Sequence, residues 1–240
     1  MTPYTTRKPM RLMFDVETAA NPENLALMPD PKPPANLKDP AKIEAAIAEK
    51  KSERIEMAAL DPDYGKILSI GYALGPDMPI TVLMVGDHVV NDQNDPATMP
   101  DPALIEEYDL DEKDLLYDFW DAFTQCGGNC VGYNILSFDL PYLLRRSMYL
   151  GVQVPCFPVL ARYRNEPVTD LMAILCNWDS YKAKSLKQMA RLLGITPLCP
   201  DVDGSKVKDM DHQELRTYQV SDVDLVQQLF KRMNGVYFNL

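Results

Sequence analysis

The sequence predicts an α/β fold in which a mixed sheet is flanked by helices. Apolar runs typical of buried strands alternate along the chain with stretches whose apolar residues recur at helical spacing. A hydrophobic fraction of 46% over 240 residues suits one domain with a sizeable core and is too high for a disordered chain. The sequence contains no apolar run near the roughly 18 residues that a membrane-spanning helix requires.

The elements follow from the apolar spacing and from helix breakers such as Gly127-Gly128 and Gly194. Strands are predicted at residues 10–16, 66–74, 80–85, 130–133 and around Val168, and helices at residues 41–58, 112–125, 139–150, 184–194 and 211–233. The first helix has a thin apolar stripe, so we expect it on the surface. It belongs to a Pro-rich and helical insertion at about 21–62, and residues 1–240 are expected to form a single domain. Residues 87–112 are predicted to form an acidic connection.

The charge is unevenly distributed. The net charge of −11 argues against non-specific coating of nucleic acid. Residues 61–124 hold fifteen acidic and two basic side chains, whereas residues 141–191 hold eight basic and three acidic ones. The basic segment is either a solvated surface or a phosphate-binding one. It also contains Tyr163, Trp178 and Tyr181, for each of which core packing is the simpler interpretation and base stacking the alternative.

The cysteines and the N-terminal residues indicate the cellular compartment in which the protein is expected. Five cysteines occur without a Cys-x-x-Cys pair or a nearby histidine, which is not a zinc-binding pattern and suits a reducing environment. The first residues lack the apolar core of a signal peptide. We therefore expect a cytoplasmic protein with no membrane partner.

Two carboxylates, Asp15 and Glu17, stand at the end of the first predicted strand. Because side chains alternate along a strand, they point to the same face. Carboxylates on one face repel each other, and a divalent cation relieves that repulsion. A strand that simply continues into a polar loop is the alternative interpretation of this pair.

Further chemistry-bearing residues occur on the predicted helices. Asp139 falls at a helix start, where aspartate is also a favoured N-cap. Tyr218 and Asp222 are four residues apart and so share one face of the last helix, which taken alone is typical of an ordinary helix surface. Lys184 and Ser185 stand at the start of another helix, where a lysine and free backbone N–H groups suit the phosphates of a nucleic acid.

Taken together, these residues resemble the motifs of the DEDD, or DnaQ-like, superfamily of 3′–5′ exonucleases. The matching segments are Phe-Asp-Val-Glu-Thr at 14–18, Gly-Tyr-Asn-x-x-x-Phe-Asp-Leu-Pro at 132–141 and Tyr-x-x-x-Asp at 218–222. The last segment is similar to the tyrosine (DEDDy) subclass, because Thr217 stands where the histidine subclass has its histidine. The chain also resembles predicted exonucleases related to the exonuclease domain of family B DNA polymerases, through Gly-Ser at 204–205 and the Ser-Leu-x-x-x-Ala-x-x-Leu-Gly segment at 185–194.

The resemblance, which spans about residues 10–232, implies an RNase H-like fold with a mixed five-stranded sheet. It implies removal of nucleoside 5′-monophosphates from the 3′ ends of single-stranded DNA, in proofreading or end trimming. The expected ligands of two divalent cations, Mg²⁺ or Mn²⁺, are Asp15, Glu17, Asp139 and Asp222, and Tyr218 is expected to orient the attacking water. Thr18, Asn134 and Phe138 are expected near the substrate. Asp170 is either a structural hydrogen-bond partner or a support of the metal site.

The resemblance leaves substrate and partner open. A 3′–5′ exoribonuclease on the same fold is one alternative. A catalytically silent replication scaffold is another, with the acidic segment 87–118 and the helix at 41–58 as its docking surfaces. Retention of all the carboxylates favours an enzyme. A polymerase or another replication protein is an expected partner, and the family suggests a bacterial or phage origin. Ala19-Ala20-Asn21-Pro22 follows the first motif where proofreading domains often have an apolar side chain.

Overall fold

The computed structural model describes residues 10–33, 35–36, 38–92 and 105–239, without the side chains of 88–92 and 105–108. The strands in these residues are β1 (Leu12–Ala20), β2 (Gly65–Ala73), β3 (Thr81–Met84), β4 (His88–Asp92), β5 (Ile105–Asp109), β6 (Cys130–Gly132) and β7 (Val168–Asp170). The α-helices are α1 (Pro22–Leu25), α2 (Pro40–Glu56), α3 (Glu112–Gln125), α4 (Asp139–Leu150), α5 (Leu171–Leu175), α6 (Leu186–Leu192) and α7 (His212–Met233). None of the helices in the described ranges combines the length and the apolar character needed to cross a bilayer.

The main sheet has five strands in the order β3-β2-β1-β6-β7. β1 pairs with β2 in antiparallel orientation and with β6 in parallel orientation, and β7 continues the parallel part. The predicted mixed five-stranded sheet is therefore confirmed. The carboxyl ends of β1, β6 and β7 lie toward one edge of this sheet, which is where loops commonly carry ligand-binding residues.

β1 is the central strand and buries both of its faces. Leu12, Phe14 and Val16 belong to the core that α3 and α4 cover, whereas Met13 belongs to a second core with α5 and α7. Each large apolar side chain buried in this way contributes about 1.5–3 kcal/mol. The sheet thus separates two helical layers, and the face of β1 that carries Met13 is the one toward α7.

The segment between β1 and β2 contains α1 and α2. α2 has no buried residue, which confirms the predicted surface helix. Asp39 caps the start of α2 by accepting a hydrogen bond from the Ala41 N–H. Near the other end of α2, Arg54 donates to the Pro29 carbonyl oxygen at 2.8 Å. The Pro-rich loop is therefore held against the helix mainly by polar contacts.

Two parts of the structure differ from the expected elements. Residues 88–92 and 105–109 form the two-stranded sheet β4–β5 within the segment predicted as a connection, and residues 93–104 of that segment lie outside the described residues. The five-residue helix α5 directly follows β7 and was not expected. Both elements are short, so neither contains enough residues to show a clear periodicity.

Candidate active site

Strand β1 supplies the first two carboxylates of the site. Leu12, Phe14 and Val16 point into the core beneath α3 and α4, so the alternation of the strand sends Asp15 and Glu17 toward α7. Both carboxylates are half-buried. The pairing with β2 shifts register directly after Glu17, because β2 has one extra residue, Leu68, between the partners of Glu17 and Thr18.

Asp139 reaches the site as the first residue of α4 and is 3% exposed. The N-cap interpretation of this residue is wrong: Phe138 occupies the N-cap position, and its side chain makes no capping hydrogen bond. Burial raises the pKa of the Asp139 carboxyl to about 7, although backbone N–H groups of Asp139 and Val16 favour the charged form. A carboxyl with such a pKa is poorly solvated and gains from a nearby positive charge.

Asp170 holds the turn that aims Asp139. Its two carboxylate oxygens accept hydrogen bonds from the Asn134 and Leu136 N–H groups, both at 3.0 Å, and Oδ1 also accepts from the Ala173 N–H at 3.1 Å. Asn134 adopts a left-handed conformation with φ of 69°, which these bonds fix. Asp170 is thus a structural hydrogen-bond partner, which is one of the two roles expected for it.

Helix α7 supplies Tyr218 and Asp222, which are 4% and 8% exposed. Its start is fixed by a capping box in which Asp211 and Glu214 exchange side-chain and backbone hydrogen bonds. Because the two residues are one helical turn apart, they face the sheet together, and the Tyr218 hydroxyl lowers the pKa of the Asp222 carboxyl. An ordinary exposed helix surface is thereby excluded for this pair.

The carboxylates converge. One oxygen from each of Asp15, Glu17 and Asp222 lies within 4.8 Å of the other two. Burial raises the pKa of Asp15 and of Glu17 well above the usual range, and repulsion from the other carboxylates of the site, Asp139 included, raises both further. Asp222 also has a raised pKa, mainly because it is buried. The cluster therefore concentrates negative charge in a poorly solvated place.

Lys187 is the cation that contacts this cluster. Its Nζ lies 3.7 Å from Asp222 Oδ1 and 4.2 Å from the centroid of the Tyr218 ring, and it donates to the Val202 carbonyl oxygen. Its positive charge lowers the pKa values of Asp15, Glu17 and Asp222. Sequence reasoning counted Lys187 only as part of a basic segment, because the approach of α6 to α7 cannot be derived from spacing.

Gln219 is a site residue that sequence reasoning missed. It is fully buried, and its Nε2 donates to Asp15 Oδ2 at 2.9 Å and to the Asp15 carbonyl oxygen at 3.2 Å. Ser69 of β2 donates to Gln219 Oε1 at 2.6 Å. The available signal was a polar residue at core spacing, because Gln219 precedes the buried Val223 by one turn of α7.

The residues expected near the substrate occupy different settings. Thr18 is 9% exposed and its hydroxyl donates to the Ala59 carbonyl oxygen, while the Phe138 ring packs 5.4 Å from the Tyr142 ring. The side chains of Lys184 and Ser185 are exposed, and Ser185 caps α6 by accepting from the Gln188 N–H. Lys187 and Ser185 line a cavity of about 540 Å³ together with Tyr218 and Asp222.

Comparisons with known proteins bear on the family and the fold of the chain. A sequence family described as predicted 3′–5′ exonuclease related to the exonuclease domain of PolB matches residues 84–236. Among solved structures, the family B DNA polymerase from the hyperthermophilic archaeon Pyrobaculum calidifontis matches 95% of this chain, with a TM-score of 0.56 and 18% sequence identity. This chain spans 25% of the length of that polymerase. Comparison with curated proteins found no match.

The structural likeness confirms the RNase H-like fold, and at this identity it shows the fold alone. The family match extends over more than half of the sequence, from β3 to the residues just beyond α7. Exonucleases of this kind use divalent metals, which agrees with the carboxylate cluster. The chain therefore belongs to the family of predicted 3′–5′ exonucleases related to the exonuclease domain of PolB.

Proposed function

We propose that this protein removes nucleoside 5′-monophosphates from the 3′ ends of single-stranded DNA by two-metal-ion hydrolysis, in proofreading or end trimming. The observation that carries the proposal is the convergence of Asp15, Glu17 and Asp222 within 4.8 Å, with Asp139 close enough to raise the pKa values of two of them. These carboxylates come from β1, α4 and α7, so only the folded chain assembles them.

The donor set fits divalent cations. Asp222 Oδ1 is buried and accepts no hydrogen bond from the described residues, with Lys187 Nζ 3.7 Å away. The raised pKa values of Asp15 and Glu17 indicate that one lysine does not neutralise the cluster. Oxygen ligands alone favour Mg²⁺ or Mn²⁺ over zinc. When bound, such cations neutralise the carboxylates, acidify the attacking water and stabilise the leaving 3′ oxygen.

Tyr218 is proposed to orient the attacking water. Burial and the neighbouring Asp222 and Glu17 raise the pKa of its phenol, so the hydroxyl keeps its proton at neutral pH. The protonated hydroxyl can donate toward Asp222, whose pKa it lowers, and its oxygen remains able to accept a hydrogen bond from water. Tyr218 therefore acts by positioning rather than as a base.

The substrate strand is proposed to contact the residues around this cavity. Lys184 and Ser185 are exposed at the start of α6, close to the cavity that Tyr218 and Asp222 line. Thr18 lies in β1 directly after Glu17, and Asn134 and Phe138 lie between β6 and Asp139, so all three flank the carboxylates along the chain. Asn134 and Phe138 are tied to Asp139 through the turn that Asp170 holds.

The test is cleavage of a 5′-labelled single-stranded DNA oligomer and its RNA counterpart with Mg²⁺, Mn²⁺ or EDTA. We expect metal-dependent laddering from the 3′ end, faster on DNA. Asp139→Asn should lower the rate at least 100-fold while the circular dichroism spectrum is retained. Asp118→Asn, at an exposed carboxylate on α3, should leave the rate unchanged.

The other outcomes identify the alternatives. Faster cleavage of the RNA oligomer would assign the protein as an exoribonuclease. Intact oligomers under every metal, with binding retained, would contradict the proposed reaction and support a scaffold. An Asp139→Asn variant as active as the unmodified protein would contradict the assignment of the metal ligands.

A further inference from the structure

We propose that Tyr163 and Trp178 form a second binding site, an aromatic platform on which bases of single-stranded DNA stack behind the 3′ end. The proposal rests on the proposed exonuclease function and extends it from the cleaved nucleotide to the strand that precedes it. The platform is defined here as the side chains of Tyr163 and Trp178 with the neighbouring Arg162.

The Tyr163 ring is exposed and lies beside the half-buried Trp178 ring. Their centroids are 5.3 Å apart, and the Tyr163 side chain is 75% exposed. Both rings border a cavity of about 140 Å³ that Arg162 also lines. Core packing was the simpler interpretation of Tyr163 and Tyr181. It is wrong for both, because these side chains are 75% and 100% exposed. An exposed aromatic face is a stacking surface that accepts any base.

The backbone holds these rings in an unfavourable conformation. Tyr163 and Trp178 have φ values of 63° and 62°, in a region that large side chains rarely adopt. Tight turns after α5 hold the second ring, with the Trp178 N–H donating to the Ala173 carbonyl oxygen at 2.8 Å. Backbone strain of this kind is concentrated at ligand-binding sites. Because the Tyr163 ring is mostly exposed, packing of that ring does not account for the strain at its position.

The charge around the platform suits a nucleic-acid backbone. Arg162 and Arg164 are exposed and flank Tyr163, and neither forms an ion pair within the described part of the chain. The chain has a net charge of −11 and as a whole repels DNA. The two unpaired guanidinium groups give this part of the surface a positive charge that attracts phosphates. Guanidinium groups contact phosphates while the bases stack on the rings.

Two segments of the chain connect the platform to the catalytic site. Its cavity is also lined by Leu136 and Ser137, which belong to the turn leading directly into Asp139. From Trp178 the chain runs to Lys187 beside Asp222, and Tyr133 fixes this stretch by donating to the Lys184 carbonyl oxygen at 2.6 Å. A strand whose 3′ end lies at the carboxylates can therefore continue onto the platform.

Binding can be measured without cleavage by working in EDTA. The chain has two tryptophans, and Trp120 is 1% exposed, so a change in tryptophan emission on adding oligothymidylate reports on Trp178. We expect the emission to be quenched at saturation, and Trp178→Phe to abolish the quenching. Fluorescence anisotropy of a 5′-labelled oligothymidylate should show about tenfold weaker binding for Tyr163→Ala.

Matched variants separate this platform from a general effect of losing a surface ring. Tyr117→Ala removes a tyrosine that is 48% exposed on α3, and it should bind as the unmodified protein does. With Mg²⁺ present, Tyr163→Ala should raise KM for long oligomers more than it lowers kcat. The difference in affinity should shrink as the oligomer is shortened, because a short strand does not reach the platform.

The results distinguish the platform from the proposed reaction. If the unmodified protein cleaves DNA but Tyr163→Ala and Trp178→Ala bind every oligomer as tightly as it does, the platform is refuted and the exonuclease function stands. If the unmodified protein neither binds nor cleaves single-stranded DNA, the proposed function itself fails. Weaker binding confined to the platform variants supports the inference.

Discussion

Among single residues, Gln219 illustrates how a neutral side chain orders a charged site. The Ser69 hydroxyl donates to Gln219 Oε1, which leaves the amide NH₂ facing Asp15, where it donates to Oδ2 at 2.9 Å. Ser69 and Gln219 are both fully buried, so water cannot replace these bonds. Asp15 is therefore held in one orientation by a link that joins α7, β1 and β2.

We expect Gln219→Ala to weaken Mn²⁺ binding about tenfold, because partners of this kind orient metal ligands. The variant should also lose about 1–3 kcal/mol of stability, since Ser69 is left without its acceptor. Isothermal titration with Mn²⁺ and urea unfolding measure the two effects.

Gln227→Ala provides the control. Gln227 is also buried on α7, but it donates to the Gly75 and Met78 carbonyl oxygens instead of to a carboxylate. The Gln227→Ala variant should lower the stability of the fold and leave the affinity for Mn²⁺ unchanged. Equal losses of Mn²⁺ affinity in both variants would contradict a specific role for Gln219.

Spacing along the sequence identified one set of residues and not another. Strand and helix periodicity place Asp15 and Glu17, like Tyr218 and Asp222, on one face, and the resemblance of their motifs to the DEDD exonucleases identified them as candidate site residues. Gln219 and Lys187 were not identified, because their roles depend on partners in other elements. A buried glutamine or lysine carries no local signal of what it contacts across the core.

At the level of elements, the contact between β2 and α7 sets the position of the site. Gly71 pairs with Asp15 in the sheet, and a Cβ at Gly71 would lie 2.6 Å from Gln219 Cγ and 2.8 Å from Val223 Cγ2. The absence of a side chain at this position lets α7 pack close to the strand. Close packing is what brings Asp222 to the two carboxylates of β1.

Gly71→Ala is therefore expected to displace α7, to cost about 1–3 kcal/mol of stability through overpacking, and to weaken Mn²⁺ binding. Gly151→Ala is the matched variant, because Gly151 follows α4 with φ of +68° and has open space around it. It should lose stability through backbone strain without changing Mn²⁺ affinity. Unchanged Mn²⁺ affinity in Gly71→Ala would show that the helix position is not set at this contact.

The elements whose ends are encoded locally were predicted best. α3 and α4 begin and end at the predicted residues: a capping box starts α3, and left-handed glycines follow both helices closely. β4 and β5 were missed because each is stabilised by pairing with the other, which short polar sequences such as His88–Asp92 do not reveal.

For the whole molecule, the clustered carboxylates couple folding to protons and metal. The pKa values of Asp15, Glu17, Asp139 and Asp222 are all raised in the folded, metal-free chain, that of Asp139 to about 7. The unfolded chain releases these protons near pH 4. Between about pH 4 and pH 7 the folded state thus binds more protons, and stability falls as the pH rises by about 1.4 kcal/mol per pH unit for each such proton.

We expect the metal-free protein to lose stability between pH 5 and pH 8, and Mn²⁺ to restore more of it at pH 8 than at pH 5. Asp139→Asn should flatten the pH dependence, because it removes one of the groups that binds a proton only when folded. Urea unfolding across this pH range with EDTA or Mn²⁺ measures both effects. Parallel stability curves with and without Mn²⁺ would contradict the coupling.

The sequence by itself determined the α/β class and the order of the main elements, because these depend on periodicities of two and 3.6 residues and on local caps. Its resemblance to the DEDD exonuclease motifs supplied the candidate site residues. The tertiary structure alone decided that residues more than 200 positions apart, Asp15 and Asp222, lie within 4.8 Å of each other. It also decided that Gln219 orients Asp15 and that Lys187 lies over Tyr218. Such contacts arise from the packing of α6 and α7 against the sheet. Only once that packing has formed are the carboxylates desolvated and close enough to repel one another.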